Sequence, residues 1–389
     1  MRTILFLSPF NIFPPYWGGA SRIYYMVKHL SMKNKIIILC NDVRKTNYEF
    51  KKCDEYKEFI NNKNIELNFV KSYTKLSQMI NPLLIVKSIN LIKQKKPDLI
   101  FAEFAWSGFP AIIIKFLCNV DFILDEHNVE FIRFKRMKRG NKLTIYMLRY
   151  LEKVSCIKAK NIFCCSDVDK QIISNDFKIN NEKILVIPNG IDTVKFRPNK
   201  DKYSKIRKKL GVNDKVPLIM FFGKMDYIPN LEAIKIIYEK IMPKILEINK
   251  EIKFLIVGDN PPKKYMHNNI IYTGIVENIE DYIHSSSLVI APLISGGGTR
   301  IKILESIACG KTVISTNIGA EGLVNKNSKN IIHITDDWEL FSMEIIKELD
   351  TERFFKEKDC INFIKEHSWE KISEKINIYL SDNYEDFIS

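Results

Sequence analysis

The sequence predicts an α/β protein made of two Rossmann-like, doubly wound parallel-sheet domains. Three observations carry that expectation. Short β-rich runs alternate with runs of helical periodicity along the chain, the pattern of a parallel sheet covered on both faces. A Pro/Asn/Gly turn signal at Val186–Asp192 is followed by a Lys-rich stretch to Lys215, and the alternation restarts at Pro217. A chain of 389 residues is also long enough for two domains of ordinary size, each burying its own core. The boundaries expected are residues 1–190, residues 191–367, and a C-terminal segment over 368–389.

In the first half, strands are expected at Thr3–Leu7, Lys35–Cys40, Ile65–Val70, Asp98–Ala102, Asp121–Asp125, Asn161–Cys165 and Ile184–Ile187. Helices are expected at Gly19–Leu30, Met79–Lys95 and Leu143–Lys158. Ligands of doubly wound sheets gather at the carboxyl ends of strands, and two such ends carry chemistry. Gly18 and Gly19 stand between the first strand and its helix, where a sugar or phosphate could approach backbone N–H groups; a tight turn would need the same glycines. They are not part of a GxGxxG run, which disfavours a nicotinamide or flavin cofactor. Asp125-Glu126-His127-Asn128 closes a hydrophobic strand. Acid, imidazole and amide groups there are costly unless hydrogen-bonded or used, so His127 is a candidate catalytic residue.

In the second half, strands are expected at Pro217–Phe222, Lys253–Val257, Ile270–Tyr272, Leu288–Ala291 and Thr312–Ser315, with helices at Asn230–Ile248 and Asn278–His284. The informative stretch is Ser295–Gly310, SGGGTRIKILESIACG. Gly296, Gly297 and Gly298 allow a sharp turn and a close approach, and a helix N-terminus follows, with its positive dipole end and unpaired N–H groups. That combination suits a phosphate. Arg300 and Lys302 add cations, and Glu305 lies one turn deeper as a carboxylate able to grip hydroxyls. Taken alone, the stretch also fits, as the less favoured reading, a surface glycine turn capping an ordinary helix. Gly223 and Lys224 follow the first strand of this half, and Glu321 lies in the turn Gly319–Gly322. All are expected to line a cleft between the two domains.

Charge and cysteine content narrow the partners. Residues 1–190 hold 31 Lys and Arg against 17 Asp and Glu, whereas residues 191–389 hold 29 of each, so the excess of +14 lies in the first half. A basic first half suggests an anionic partner; a Lys- and Asn-rich composition arising from coding bias is the plainer reading. Arg133, Lys135, Arg136, Lys138, Arg139 and Lys142 interleave with Phe131, Phe134 and Met137, so residues 131–153 are expected to dock on an anionic membrane surface, unless they are a solvated helix face. No accompanying motif supports nucleic acid. The eight cysteines form no CxxC pair, which disfavours a zinc site or disulfide framework and fits a reducing compartment. The opening MRTILFLSPF reads as a strand rather than a leader, and no segment has the uncharged apolar length of a membrane span.

Six signals in order, IPNGID, FFGKMDYIPN, IVGDN, IYTGIVENIEDYI, APLISGGGTRIKILESIACGKTVIST and IGAEGL, resemble the retaining nucleotide-sugar glycosyltransferases of GT-B architecture, family four (glycosyl transferases group 1), in a GGGTR-type variant. WGGAS, DEHNVE and FCCSDVDKQII in the first half are similar to that family as well. The resemblance implies transfer of a hexose-type sugar from a nucleotide-diphosphate donor to a glycan or lipid-linked acceptor, with retention and without metal or other cofactor. It implies that Glu305 holds the donor ribose, that Gly298 and Thr299 meet the diphosphate through backbone N–H groups, and that Lys224 stabilises the departing phosphate. His127 would stand near the transferred sugar, Gly18 and Gly19 would form a phosphate-side loop, and SWEKISEKINIYL would be a final helix crossing back to the first domain. A cytoplasmic protein is expected, peripheral at the inner face of a membrane.

Two positions depart from the family. Gly297 stands where the family has the first of two glutamates, and Asp226–Asn230 offers no second cation after Lys224. Arg300 or Lys302 is expected to supply that charge. Two other classes fit the same sequence: a catalytically silent GT-B module that binds nucleotide or glycan, and a sugar-nucleotide epimerase of GT-B shape.

Overall fold

A computed structural model describes residues 1–42, 49–72, 81–199, 202–325, 327–350 and 357–384. Its described residues divide into two compact units, one of residues up to Asn189 together with the segment from Trp369, the other Gly190–Ser368.

The first unit contains β1 (Thr3–Ser8), α1 (Gly18–Leu30), β2 (Lys35–Asp42), α2 (Asp54–Asn61), β3 (Ile65–Lys71), α3 (Pro82–Lys95), β4 (Leu99–Glu103), α4 (Phe104–Cys118), β5 (Phe122–Glu126), α5 (Glu130–Arg136), α6 (Lys142–Lys158), β6 (Asn161–Cys164), α7 (Asp167–Phe177) and β7 (Ile184–Val186). All seven strands are parallel, in the order β3-β2-β1-β4-β5-β6-β7. Strands β1, β4 and β5 are apolar on both faces up to their last residues, as strands buried under two helical layers must be. The helix expected from Met79 begins at Pro82, after the N-cap Asn81, whose side chain accepts the Leu83 N–H; residues 79 and 80 lie outside the described residues.

The second unit contains α8 (Lys202–Leu210), β8 (Leu218–Phe222), α9 (Ile228–Ile236), α10 (Met242–Ile248), β9 (Lys253–Val257), β10 (Ile270–Gly274), α11 (Ile279–Ser285), β11 (Leu288–Ala291), α12 (Ile301–Ala308), β12 (Val313–Ser315), β13 (Ile332–Ile334), α13 (Trp338–Asp350) and α14 (Glu357–Glu366). Its six parallel strands run β10-β9-β8-β11-β12-β13. The single helix expected over Asn230–Ile248 is interrupted by a π-turn at Ile237–Ile241, just before Pro243, whose missing N–H cannot continue an α ladder.

The last helix, α15 (Trp369–Tyr384), belongs to the first unit. Trp369, Ile372, Ile376 and Leu380 join the core that contains Ile23, Met26 and Val27 of α1, and the Trp369 ring stacks on Tyr25 with centroids 6.0 Å apart. No helix among the described residues is long and apolar enough to cross a membrane.

The basic segment after β5 differs from its sequence reading. Phe131 and Met137 are buried core residues, Arg133 pairs with Glu130, and Arg139 lies over the Phe134 ring. The exposed apolar side chains of this region are instead on α6: Leu143, Tyr146, Met147 and Tyr150 are each more than half exposed. Their i, i+3, i+4, i+7 spacing puts them on one stripe, and helical periodicity alone cannot tell an outward stripe from an inward one.

Candidate functional site

In each sheet the strand order reverses once, between β1 and β4 in the first and between β8 and β11 in the second. Connections leaving these neighbouring strands in opposite directions open a crevice at their carboxyl ends, the usual ligand position of an open α/β sheet. The candidate residues of each unit stand at or near its reversal point.

In the second unit, β8 ends in Gly223-Lys224 and β11 runs into the glycine loop before α12. Gly223 adopts φ 149°. A Cβ there would stand 2.7 Å from Asn230 Nδ2 and 3.0 Å from Lys302 Nζ, so the missing side chain makes room for both. Lys302 Nζ donates to Asn230 Oδ1 at 2.9 Å, and Asn230 Nδ2 donates to the Lys224 carbonyl at 2.7 Å. The ammonium also lies 4.3 Å from the Phe221 ring centroid. Burial, then the neighbouring Arg300 charge, push the Lys302 pKa down to about 7, with Glu305 opposing them. No carboxylate forms an ion pair with Lys302 among the described residues; its ammonium meets an amide oxygen and ring faces, and the Glu305 charge acts on it without direct contact.

Arg300, expected as a cation for the ligand, is also tied to the loop itself. Its guanidinium folds back onto the loop, donating to the carbonyls of Gly297 and Gly298, so it staples the glycine turn. Gly296 and Gly298 are left-handed, at φ 102° and 68°. Helix α12 opens with no cap bond from the side chain of its N-cap residue Arg300 and with no acidic residue in its first turn, where the positive end of its dipole lies. Thr299 is buried beside it. Glu305 is one turn on; burial pushes its pKa up to about 7 against the pull of Lys195 and Lys302. Lys224 is more than half exposed and pairs with Asp226 at 2.9 Å. Glu321 sits half-buried in the turn after β12, where Gly319 is required because a Cβ would lie 2.5 Å from the Ala291 carbonyl.

In the first unit, His127 is buried at the end of β5. Its Nε2 stands 2.7 Å from Glu103 Oε2 and 3.2 Å from Asp125 Oδ2. Arg22 of α1, only 1% exposed, donates through Nε and Nη2 to the two Asp125 oxygens at 2.8 and 2.7 Å, and through Nη1 to Pro188 O and Asn189 Oδ1. Burial works against the Asp125 carboxylate, yet Arg22 and His127 hold it well below the usual range. Glu103, Asp125 and His127 are the one trio of potential metal ligands brought together among the described residues. Both Asp125 oxygens already accept from Arg22.

Gly18 begins α1 and is exposed, whereas Gly19 is half-buried: a Cβ there would meet Trp17 Cζ3 at 2.5 Å and Phe104 Cζ at 2.6 Å, so aromatic rings pack against Gly19. Phe10, Trp17, Phe104 and His127 form one aromatic group, with Phe104 stacked on the imidazole at 3.8 Å. Sequence reasoning missed Arg22, Glu103 and Asn230. Only the unusual acid ending the apolar run Leu99–Ala102 signalled Glu103.

Each unit thus presents a reversal-point crevice of the open α/β kind, the second behind a glycine loop that opens a helix; similarity to known proteins names the class. The model of Glycosyltransferase Family 4 matches residues 17–195 and that of Glycosyl transferases group 1 matches residues 216–350; the chain belongs to the GT-B glycosyltransferases. It is 22% identical over 311 residues to an uncharacterized glycosyltransferase of Methanocaldococcus jannaschii, covering 75% of this chain and 77% of that one. It is 24% identical over 257 residues to the UDP-Gal:alpha-D-GlcNAc-diphosphoundecaprenol alpha-1,3-galactosyltransferase of Escherichia coli, covering 62% and 64%. Among solved structures it shares its fold with Anabaena HepE in complex with UDP, with a TM-score of 0.75 at 17% identity over 98% of this chain and 100% of that one.

Proposed function

We propose that the protein transfers a hexose-type sugar, with retention of anomeric configuration and without a metal, from a nucleoside-diphosphate donor to a glycan or lipid-linked acceptor of cell-surface polysaccharide or glycolipid synthesis. The single observation that carries this is Lys302, a desolvated ammonium without a carboxylate partner, at the β8 end of the second sheet. A diphosphate would supply the missing negative charge. Leaving-group charge grows on the β-phosphate as the glycosidic bond breaks, so an aimed cation and a helix N-terminus lower that barrier. Glu305, on the same helix, would accept from the ribose hydroxyls. HepE bound to UDP and to UDP-glucose, and the UDP-galactose-dependent relative, make uridine donors the first to test.

The experiment is a thermal-shift screen against UDP-, GDP- and ADP-sugars, followed by transfer assays with and without EDTA. A ligand at 100 times its Kd adds about 2.7 kcal/mol of stability. Lys302→Met and Glu305→Ala should each lower kcat/KM by roughly 10²-fold or more. Binding without turnover across the donor panel would instead mark a silent nucleotide-binding module, and release of a free rearranged sugar would mark an epimerase.

The same reading places the protein in the cytoplasm, on an anionic membrane surface, through α6. Leu143, Tyr146, Met147 and Tyr150 offer an apolar, aromatic stripe, and Lys138, Arg139, Lys142 and Lys158 are exposed around it. Glu152, the one acid of α6, is buried. Such a face suits acidic lipid headgroups over neutral ones. Flotation with vesicles containing phosphatidylglycerol, and not with phosphatidylcholine alone, is expected, and Tyr146→Ser/Tyr150→Ser should abolish it; equal recovery on both vesicles would remove the assignment.

A further inference from the structure

The ion network around His127 has two loose ends. Among the described residues, His127 Nδ1 and Glu103 Oε1 are buried polar atoms without a hydrogen-bond partner, although both side chains are 4% exposed or less. A buried polar atom left unpaired costs free energy, so two in one network mark a place completed by something else. The turn that holds them is also unusual. Phe104, directly after Glu103, adopts φ 63°, a region that bulky residues avoid, and in doing so lays its ring on the imidazole.

Proton counting decides what Nδ1 can do. Nε2 is engaged by Glu103 Oε2 at 2.7 Å, with Asp125 Oδ2 at 3.2 Å. When imidazole and Glu103 together hold two protons, one lies on the Nε2···Oε2 axis and the other on Nδ1. That is true whether the shared proton sits on nitrogen, giving imidazolium and carboxylate, or on oxygen, giving neutral imidazole and carboxylic acid. In both arrangements Nδ1 is a donor. When the pair holds one proton, the carboxylates keep it on Nε2 and Nδ1 becomes an acceptor.

We propose that Glu103 is a positioning residue that holds His127 through Nε2 and reserves the unpaired Nδ1 as a proton donor to one acceptor oxygen of the bound sugar donor or acceptor. The ligand half of this statement rests on the transferase reading above; the proton half does not. The charged groups facing the imidazole are Glu103 from β4, Asp125 from β5 and, behind Asp125, Arg22 from α1, while Phe104 covers one flat side. Cys165 lies beside Arg22, its thiol pushed up to about 12 by burial and therefore neutral. Burial pulls His127 down, but the Asp125 charge and the hydrogen bonds to Asp125 and Glu103 outweigh it and raise the imidazole above its ordinary value. Burial and the Asp125 charge push Glu103 up to about 7. The donor state is thus complete at low pH and is lost as pH rises through the titration of the pair.

The test is nitrogen-15 NMR of histidine side chains in the full chain from pH 5.5 to 9, with His127→Gln to assign the signal. Wild type is expected to carry a proton on Nδ1 at pH 6.5 and to lose it as pH rises. Glu103→Gln removes one carboxylate charge and should move that loss down by about one pH unit or more. A bare Nδ1 at pH 6.5 in wild type overturns the proposal, and so does a titration that Glu103→Gln leaves in place. Should Glu103→Gln not fold, the wild-type nitrogen shifts still decide. The alkaline fall in kcat/KM with the donor found by the screen should move with the NMR midpoint; a fall that stays put in Glu103→Gln overturns the ligand half. A chain that transfers no sugar overturns the transferase reading and leaves the NMR result standing.

Discussion

At the scale of single residues, the site is a set of charges whose compensation lies far away in sequence. Lys302 gives the clearest consequence. Its pKa is pushed down to about 7 by burial and by Arg300, so at pH 8 the free protein holds it mostly neutral. A diphosphate favours the ammonium, so binding must take up a proton at that pH, and affinity must weaken as pH rises above 7. Calorimetry of UDP binding at pH 8, in buffers of different ionisation enthalpy, should show uptake approaching one proton in wild type and much less in Lys302→Met. Equal uptake in both proteins would move the titration to another group. Arg22 illustrates the structural counterpart. Arg22→Met would strand the buried Asp125 carboxylate, and breaking such a pair costs about 3–5 kcal/mol. A denaturant midpoint close to wild type would show that Asp125 is not held by this pair. In sequence Arg22 is one more arginine in a helix. Its partners are more than a hundred positions away, and only the strand order brings them to it.

At the scale of elements, apolar runs and glycines were legible, and the bonds that join elements were not. β1, β2, β8, β9 and β11 are continuous apolar runs, because both faces of a parallel strand are buried, and each was readable to within two residues. β13 escaped: it is three residues long and carries His333 at its centre, so it offers no periodicity to detect. The loop before α12 was legible from its glycines, but the use of Arg300 as its staple was not, since a cation beside glycines reads as anion-binding. Helix α5 rests on another unreadable contact. Glu152 of α6 accepts the backbone N–H groups of Glu130 and Phe131 at 2.6 and 3.2 Å, capping α5 from a neighbouring helix. Glu152→Ala would leave both donors buried and unpaired at a cost of about 1–3 kcal/mol. Hydrogen exchange should then accelerate across Glu130–Arg136, immediately after His127; unchanged protection there would show that the cap contributes nothing.

At the scale of the whole molecule, the consequence to test is that the last helix is part of the first unit's core although 179 residues of the second unit, 190–368, precede it. Trp369 is 1% exposed, and Ile372, Ile376 and Leu380 are as deeply buried against α1. The first unit therefore cannot finish its core until the second has been synthesised. Trp369→Ala removes one of the largest buried side chains, and losses of this type cost about 3–5 kcal/mol. The damage should follow membership of the core rather than position in the sequence. Exchange should rise in β1, β2 and α1, which lie more than three hundred residues earlier, while β8 and β9 keep their protection. The same logic applies to deletion of residues 369–389, which should expose the apolar faces of Ile23, Met26 and Val27 and bind a hydrophobic dye. If exchange instead rose equally in both sheets, the two units would share one cooperative core, and the assignment of α15 to the first would fail.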